Sequence, residues 1–378
     1  MQNKVTIDDG LKRDIINIAT KAYTPILGFL KEKDLDSVVK NMRLTSGEIW
    51  SIPIVLNLSK EDYEYHKQQN ELYLQDVEGY RIAKIINPEF YKYDKFVLCE
   101  KIYGTKDINH PGVNKVMNSG EFFVGGDIEI DSKFNDKIHE YHFTPDEIIA
   151  EKNSRNWKTM VAFQTRNIPH RSHEFLQKEA LKVADGLLVQ PVIGKKKQGD
   201  FDDDLIIKSY QVLFRHYHDE SRAILGLLPL EMRYAGPREA VHHAVVRKNH
   251  GCTHMIIGRD HAGVGDYYDP FAAQNIFDQF TAGELGIKIL KFDNAHFCTE
   301  CDDIVFSSNH QHNVDPEYNV SGTKLREMVK NKQALPKYIV RPEIADIIIN
   351  YPNPLVWIKI TKDWLFGLQV FLEQEKQL

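Results

Sequence analysis

Two rhythms of apolar and polar residues divide the chain near residue 150. Before that point, helical patches at Leu11–Ala22 and Asp34–Asn41 are followed by short alternating runs at Trp50–Leu56, Arg81–Ile86 and Phe96–Tyr103. Alternation with a period of two, punctuated by Thr45–Ser46–Gly47 and by Asp76–Gly79, predicts strands joined by turns. Gly125–Gly126 precedes one more such run, Asp127–Asp131. The expectation is a mixed domain built around a small β-barrel or curled sheet. His110–Pro111–Gly112 reads as a turn.

After residue 150 short apolar runs alternate with helix-period segments. Strands are predicted at Met160–Phe163, Leu187–Val192, Ala223–Leu228 and His254–Ile257. Helices are predicted at His170–Asp185, Asp203–Asp219 and Pro237–Lys248, the last closed by Gly251. This succession predicts an α/β fold, a parallel sheet with helices on both faces and right-handed crossovers. Ligands of such sheets bind beyond the carboxyl ends of the strands. Three polar loops fall there: Gln164–Asn167, Met232–Arg238 and Gly258–Gly263. From Val320 a small, mostly helical unit runs to Leu378.

A length of 378 residues exceeds one typical core, so the division expected is 1–150, 151–319 and 320–378. No apolar run approaches the ~20 residues of a membrane helix, and the N-terminus lacks a basic-then-apolar signal pattern. A cytoplasmic protein without a membrane partner is expected. The net charge of −6 and the absence of a long basic run argue against broad nucleic-acid binding. An anionic ligand must then meet a local positive site. Four cysteines, Cys99, Cys252, Cys298 and Cys301, are too sparse for a disulfide scaffold.

The stretch Met160–Asp185 carries the first candidate site. A strand leads into Gln164–Thr165–Arg166–Asn167; Pro169 suits a first helical position, and Gly186 suits a C-terminal cap. His170 and His173, three apart, share one face of the first turn. Helix N–H groups, Arg166 and two imidazoles make an anion site of the kind that holds nucleotide phosphates. The same residues also read as the exposed polar start of an ordinary helix.

Gly258–Arg259–Asp260–His261–Ala262–Gly263 is either a polar turn or, with Gly265, a loop whose backbone approaches a ligand while Arg259 forks two phosphate oxygens. Ser321–Gly322–Thr323–Lys324–Leu325–Arg326 is either a capped helix start or a second phosphate-binding one. Lys195–Lys196–Lys197 reads as a solvated loop and Asp202–Asp203–Asp204 as an acidic helix start. Cys298-x2-Cys301 followed by His310-x-His312, within 296–312, is either a tetrahedral zinc site or two reduced thiols beside loop histidines.

Together QTRN-x-x-HRSHE, MRYAGPREA and GRDHAG, in this order, resemble the ATP sulfurylases (sulfate adenylyltransferases) of bacteria and archaea. The resemblance extends to Pro25–Phe29, Met42–Leu44, Val124–Gly126, SGTKLRE and Leu335–Ile347, nearly the whole chain. It implies a PUA-like N-terminal domain, a Rossmann-like nucleotidyltransferase domain and a small C-terminal domain. It also implies that ATP and sulfate give adenylyl sulfate and pyrophosphate, with Mg²⁺ accompanying the nucleotide, in a homodimer. Carried over residue by residue, Gln164, Arg166 and the Ala262 backbone hold sulfate, and Thr165, Arg166 and Asn167 are active-site residues. Gln164–Asn167, His170, His173 and Gly258–His261 line the ATP site, with Val305 beside the adenine. The family's zinc knuckle implies Zn²⁺ on Cys298, Cys301, His310 and His312, His310 standing where the family has its third cysteine. Gln190 replaces the usual histidine before Pro191, and Val264 the usual proline after GRDHAG. The chain is expected to carry no appended kinase-like module.

Sulfate is fully ionised near neutral pH, so the implied reaction needs positioning and charge stabilisation rather than a general base. Two other classes compete. A short adenylyltransferase acting on a phosphorylated cofactor precursor would lack GRDHAG, and an RNA-binding protein would carry a basic face.

Overall fold

A computed structural model of the chain describes residues 3–132, 138–194, 198–281, 283–312, 318 and 321–356. Lys195–Lys197, Val320 and the end of the C-terminal unit, 357–378, lie outside the described residues.

The N-terminal part folds around a seven-stranded sheet. Its spine is the strand Phe122–Ile130, which pairs antiparallel with Gly28–Phe29, Leu56–Leu58, Arg81–Ile86 and Glu89–Lys92. Gly125–Gly126 therefore lies inside this strand rather than before it. The glycine at 28 is dictated by approach: a Cβ there would stand 2.1 Å from the Gly126 carbonyl oxygen.

Three expectations for this part fail for identifiable reasons. Lys95–Tyr103 is a helix, not a strand. Asp94 accepts from the N–H groups of Phe96 and Val97 at 2.8 and 3.2 Å, and Gly104 closes the helix at φ 69°. Of Trp50–Leu56 only Leu56 enters a ladder; Trp50, Ile52 and Ile54 are buried without one. His110–Pro111–Gly112 is a helix start rather than a turn. His110 caps the helix Pro111–Met117, buried, with its Nδ1 accepting from Gly112 and Val113.

The central part is built on parallel strands in the order Ala223–Leu225, Gly186–Ile193, Met160–Thr165, His254–Ile257, Lys288–Lys291. Leu228–Pro229 continues the edge, so the strand expected over Ala223–Leu228 is broken around Gly226. The last strand of the order, Lys288–Lys291, was not anticipated. Met160–Thr165 sits mid-sheet, and its carboxyl end delivers Gln164 and Thr165.

Two large apolar clusters lie against this sheet, beside a small one of Ile193, Ile207 and Leu227. One is continuous from Tyr23 and Trp50 through Val241 and Met255, so the N-terminal part and the sheet share a core. The helix Pro237–Asn249 runs through it, and every residue from Glu239 to Arg247 is buried. The other face packs the helices Arg171–Ala180, Asp203–Tyr217, Gly322–Lys330 and Pro342–Asn350 around Phe163, Tyr210 and Ile344.

The helix that carries the histidine pair begins at Arg171 and ends at Ala180, shorter than expected at both ends. Its N-cap is His170, which leaves Pro169 outside. Gly186 is not a helix cap but the first residue of a strand. A Cβ there would stand 2.1 Å from the Trp157 ring, which is the packing reason for the glycine.

Candidate active site

A cleft of about 420 Å³ opens at the carboxyl ends of the central strands. Gln164, Thr165, Arg166, Asn167, His170 and His173 form one wall, and Gly258, Arg259, Asp260, His261 and Ala262 another. The two loops read separately along the chain thus face one space. Crossover topology brings them there, since the strands before them are neighbours in the sheet.

Thr165 sets the first loop. Its Oγ1 accepts the Asn167 N–H at 3.0 Å and donates to the Asn167 carbonyl at 3.2 Å. Arg166 lies over the Tyr234 ring, its Cζ 5.0 Å from the centroid, and donates through Nη2 to the Gly263 carbonyl at 3.3 Å. That bond ties the first loop to the second. Arg166 Nη1 and Gln164 Oε1 are buried without partners among the described residues. A buried guanidinium N–H left unmade is costly, so this end of Arg166 is poised for an acceptor.

His170 and His173 stack with ring centroids 3.6 Å apart and planes inclined by 28°. Phe163 meets the His173 ring edge-on at 5.0 Å. Burial, with Arg326 nearby, holds His170 down to about 3. Burial and the neighbouring His170 hold His173 well below an ordinary imidazole. Both rings are therefore neutral near pH 7, and each keeps a buried Nδ1 with no partner among the described residues. They offer the cleft hydrogen bonds rather than charge. The helix start itself is narrower than expected, because the Ile339 carbonyl takes the Arg171 N–H at 2.8 Å.

The second loop holds unusual backbone. Asp260 and Ala262 both have φ of 57°, and Tyr234 has 58° in the neighbouring loop. Left-handed conformations at non-glycine residues cost energy and cluster at ligand sites. The Asp260 N–H donates to the Pro270 carbonyl at 2.7 Å, and the Ala262 carbonyl accepts from Gly236 at 3.2 Å. Arg259 and Asp260 are exposed at the rim.

The Met232–Arg238 loop plays a different part. Met232 lines the cleft, but Arg233 turns away to fork Asp14 at 2.7 and 2.5 Å. Arg238 donates to the carbonyls of Val38 and Val39 at 2.9 and 2.8 Å. Both arginines bind the N-terminal part to the sheet.

Sequence reasoning missed Asp293–Asn294–Ala295, which also line the cleft. They follow the unanticipated strand Lys288–Lys291, so recognising that strand would have placed them at its carboxyl end. Ser321–Thr323 and Arg326 close the cleft from the C-terminal unit. Ser321 caps its helix as expected, its side chain accepting the Lys324 N–H at 3.2 Å. Arg326 donates to Asn167 Oδ1 and lies 3.9 Å from Asp200. Val305 is not among the lining residues. It sits half-buried in a hairpin, opposite His296.

Cys298, Cys301, His310 and His312 come together beside that hairpin, with their ligand atoms all within 4.8 Å of one another. The separations include 3.4 Å from Cys298 Sγ to His312 Nδ1, 3.5 Å from Cys301 Sγ to His312 Nδ1 and 3.8 Å from Cys301 Sγ to His310 Nε2. Zinc bonds of roughly 2.0–2.3 Å arranged tetrahedrally span edges of about 3.3–3.8 Å, which these three separations match, so the donor set fits the ion once its widest pair draws in.

Comparison with known proteins gives a consistent picture. A family model described as ATP-sulfurylase matches residues 139–351, and one described as a PUA-like domain matches residues 1–133. A protein named sulfate adenylyltransferase from Pyrococcus abyssi is 43% identical over 360 residues, covering 93% of this chain and 92% of its own. Proteins of the same name from Thermococcus onnurineus and Carboxydothermus hydrogenoformans are 43% and 41% identical, covering 93% and 90% of this chain and 91% and 90% of their own. Among solved structures, one titled a hexameric APS kinase from Thiobacillus denitrificans has a similar fold, with a TM-score of 0.71 at 20% identity. It covers 93% of this chain, which spans 63% of that protein's length.

Proposed function

The chain belongs to the ATP-sulfurylase family, and from that premise we propose that it is a sulfate adenylyltransferase, converting ATP and sulfate to adenylyl sulfate and pyrophosphate in the first step of sulfate activation. One observation carries the assignment of its parts. The unpartnered Nη1 of Arg166 and the unpartnered Nδ1 atoms of two neutral histidines belong to the same cleft wall.

In this reading Arg166 and Gln164 hold sulfate, with the backbone of Ala262 opposite. The Gln164 amide interchanges its oxygen and nitrogen by a flip, so its free end serves as a donor. A sulfate oxygen attacks the α-phosphorus in line. The new S–O–P linkage forms as the bond from the α-phosphorus to the bridging oxygen breaks, and pyrophosphate leaves with that electron pair. No proton needs to move. Catalysis is positioning of two anions and stabilisation of the charge that builds on the α-phosphoryl and leaving oxygens. His170 and His173 donate to those oxygens, Thr165 holds the loop, and Asn167, Gly258–His261 and Arg259 orient the phosphates. Arg326 and the Ser321 helix start add a second phosphate contact.

Mg²⁺ bound to the nucleotide supplies charge neutralisation on the phosphates. Zn²⁺ held by Cys298, Cys301, His310 and His312 is structural and braces the hairpin Ala295–Phe306. A PUA-like domain over 1–150, the nucleotidyltransferase domain over 151–319 and a small domain over 320–378 complete the organisation. No helix among the described residues is long and apolar enough to cross a membrane, and we place the enzyme in the cytoplasm as a homodimer.

The test is sulfate-dependent release of pyrophosphate from ATP. Wild-type protein releases it, and Arg166→Ala does not while its thermal unfolding stays near wild type. Near-normal adenylyl sulfate formation by Arg166→Ala would overturn the role given to that residue.

A further inference from the structure

Two buried titratable side chains with no role in the reaction as described, Glu239 and His243, lie in a row behind His261 of the second cleft wall. Glu239 is fully buried in the helix Pro237–Asn249. Its Oε1 accepts the Arg233 N–H at 2.8 Å and its Oε2 the Ala235 N–H at 3.0 Å. One turn on, His243 is also fully buried, with Nε2 3.5 Å from Glu239 Oε1. Its Nδ1 stands 3.0 Å from Nε2 of His261, which lines the cleft.

The tautomers follow from this order. His243 Nε2 makes no hydrogen bond among the described residues, and Glu239 Oε1 at 3.5 Å is the acidic oxygen beside it; with Glu239 ionised the favoured tautomer carries its hydrogen at Nε2, since two lone pairs would repel. Its Nδ1 is then an acceptor, and His261 must donate from Nε2. That leaves Nδ1 as the bare nitrogen of a neutral His261. A bare lone pair is the wrong group to present to a phosphate.

We propose that Glu239 and His243 are positioning residues that enable His261 to take up a solvent proton at Nδ1 when a nucleotide's phosphates fill the cleft. The step balances simply. One proton leaves bulk water and joins Nδ1; the Nε2–H bond to His243 is kept; the imidazolium's charge is balanced by Glu239 on one side and by the bound polyphosphate on the other. Burial, then His243 and Arg247, hold His261 well below an ordinary imidazole before the ligand arrives, with Arg166 acting in the same direction and Glu239 opposing them. His243 faces Arg247 and Arg166 as well. Burial raises the Glu239 carboxyl, while Arg233 and Arg166 act against that rise. Among the described residues Glu239 is the anion that opposes burial at His261, which is why its removal should be felt at the cleft.

The inference rests on the adenylyltransferase reading, and the experiment separates the two. Calorimetric titration with a non-cleavable α,β-methylene analogue of ATP, in two buffers of different ionisation enthalpy, counts protons taken up on binding. Wild-type protein is expected to take up about one proton more than Glu239→Gln or His243→Phe near pH 7.5. Those variants should also lose kcat/KM for ATP by roughly tenfold to a hundredfold, with the alkaline limb of the pH profile moved to lower pH. A purely structural role would move neither the proton count nor the limb. His170 and His173 contribute equally to every member of the comparison. If either buried variant fails to fold, His261→Asn makes the same comparison from the cleft side. Proton uptake equal to wild type in Glu239→Gln or His243→Phe, or in His261→Asn, overturns the proposal. Failure of the wild type to release pyrophosphate with sulfate would instead overturn the parent reading.

Discussion

The guanidinium of Arg341 forks the carboxylate of Glu174, Nε and Nη2 lying 2.8 and 2.7 Å from the two oxygens. Glu174 follows His173 directly on the helix that carries the histidine pair, and Lys178 reaches it from the next turn at 2.5 Å. The C-terminal unit therefore fastens the helix Arg171–Ala180 by a charge pair whose acidic partner is only 4% exposed.

Removing Arg341 takes the forked partner from a buried carboxylate, so Arg341→Met should lower stability by about 3 kcal/mol, read as a fall in the urea midpoint. Glu174→Gln should cost less, because the cations it leaves, Arg341 and Lys178, are 24% and 47% exposed. Burial pushes the Glu174 carboxyl up, but hydrogen bonds from Arg341 and Lys178 outweigh it and leave the group below its ordinary value. A depressed carboxyl contributes stability fully above its unfolded pKa and loses it as pH falls through the folded one. The difference between wild type and Glu174→Gln should thus be constant from pH 8 down to about 5 and shrink below about 4. A difference that grows in acid would refute the assignment.

Neutral histidines make a second prediction. With His170 held down to about 3 and His173 well below the usual range, neither ring should titrate between about pH 5 and 8 in the free enzyme. Nitrogen-15 chemical shifts of the two rings measure this directly. Replacing either by Asn should cost roughly 10²–10³ in kcat, the loss expected for a donor to developing charge, with little change in unfolding temperature.

How far the chain could be read beforehand depended on where local chemistry and tertiary packing agreed. Gln164–Asn167, His170, His173 and Gly258–Ala262 were found from loops at strand ends, and the structure gathers them all on one cleft. Where one apolar spacing serves two elements, reading failed. Leu98, Cys99, Ile102 and Tyr103 are buried on a helix, and Asp94 and Gly104 were the caps that should have decided it. Gly186 looked like a helix cap because nothing in the local sequence reveals the Trp157 ring against it. The link from Glu239 through His243 to His261 was hidden for the same reason. Two of its members are a helical turn apart, but the third arrives from another strand end.

The Cys/His cluster predicts about one zinc per chain by metal analysis of purified protein. Cys298→Ser should lose most of that metal and unfold at lower temperature, and a strong chelator should produce the same shift in the wild type. A metal-free protein whose stability is unmoved by Cys298→Ser would remove zinc from the description and leave a hairpin with two reduced thiols.

Arg326 provides the last prediction. Its side chain bonds the C-terminal unit to the Gln164–Asn167 loop, donating to Asn167 Oδ1 while Asp200 lies 3.9 Å away. The approach is close enough that a Cβ on Gly322 would stand 2.8 Å from Asn167 Nδ2. Asn167 is thereby held with its carbonyl oxygen occupied and its N–H₂ group against Gly322, both residues lining the cleft. Arg326→Met keeps the bulk of the stem and removes both the donor and the positive charge. Turnover should fall roughly tenfold to a hundredfold, with a rise in KM for ATP and little change in KM for sulfate. Arg326→Lys should recover only part of this, because an ammonium cannot reproduce the planar fork. Equal losses against both substrates would mean that Arg326 holds the whole loop rather than the nucleotide's side of it.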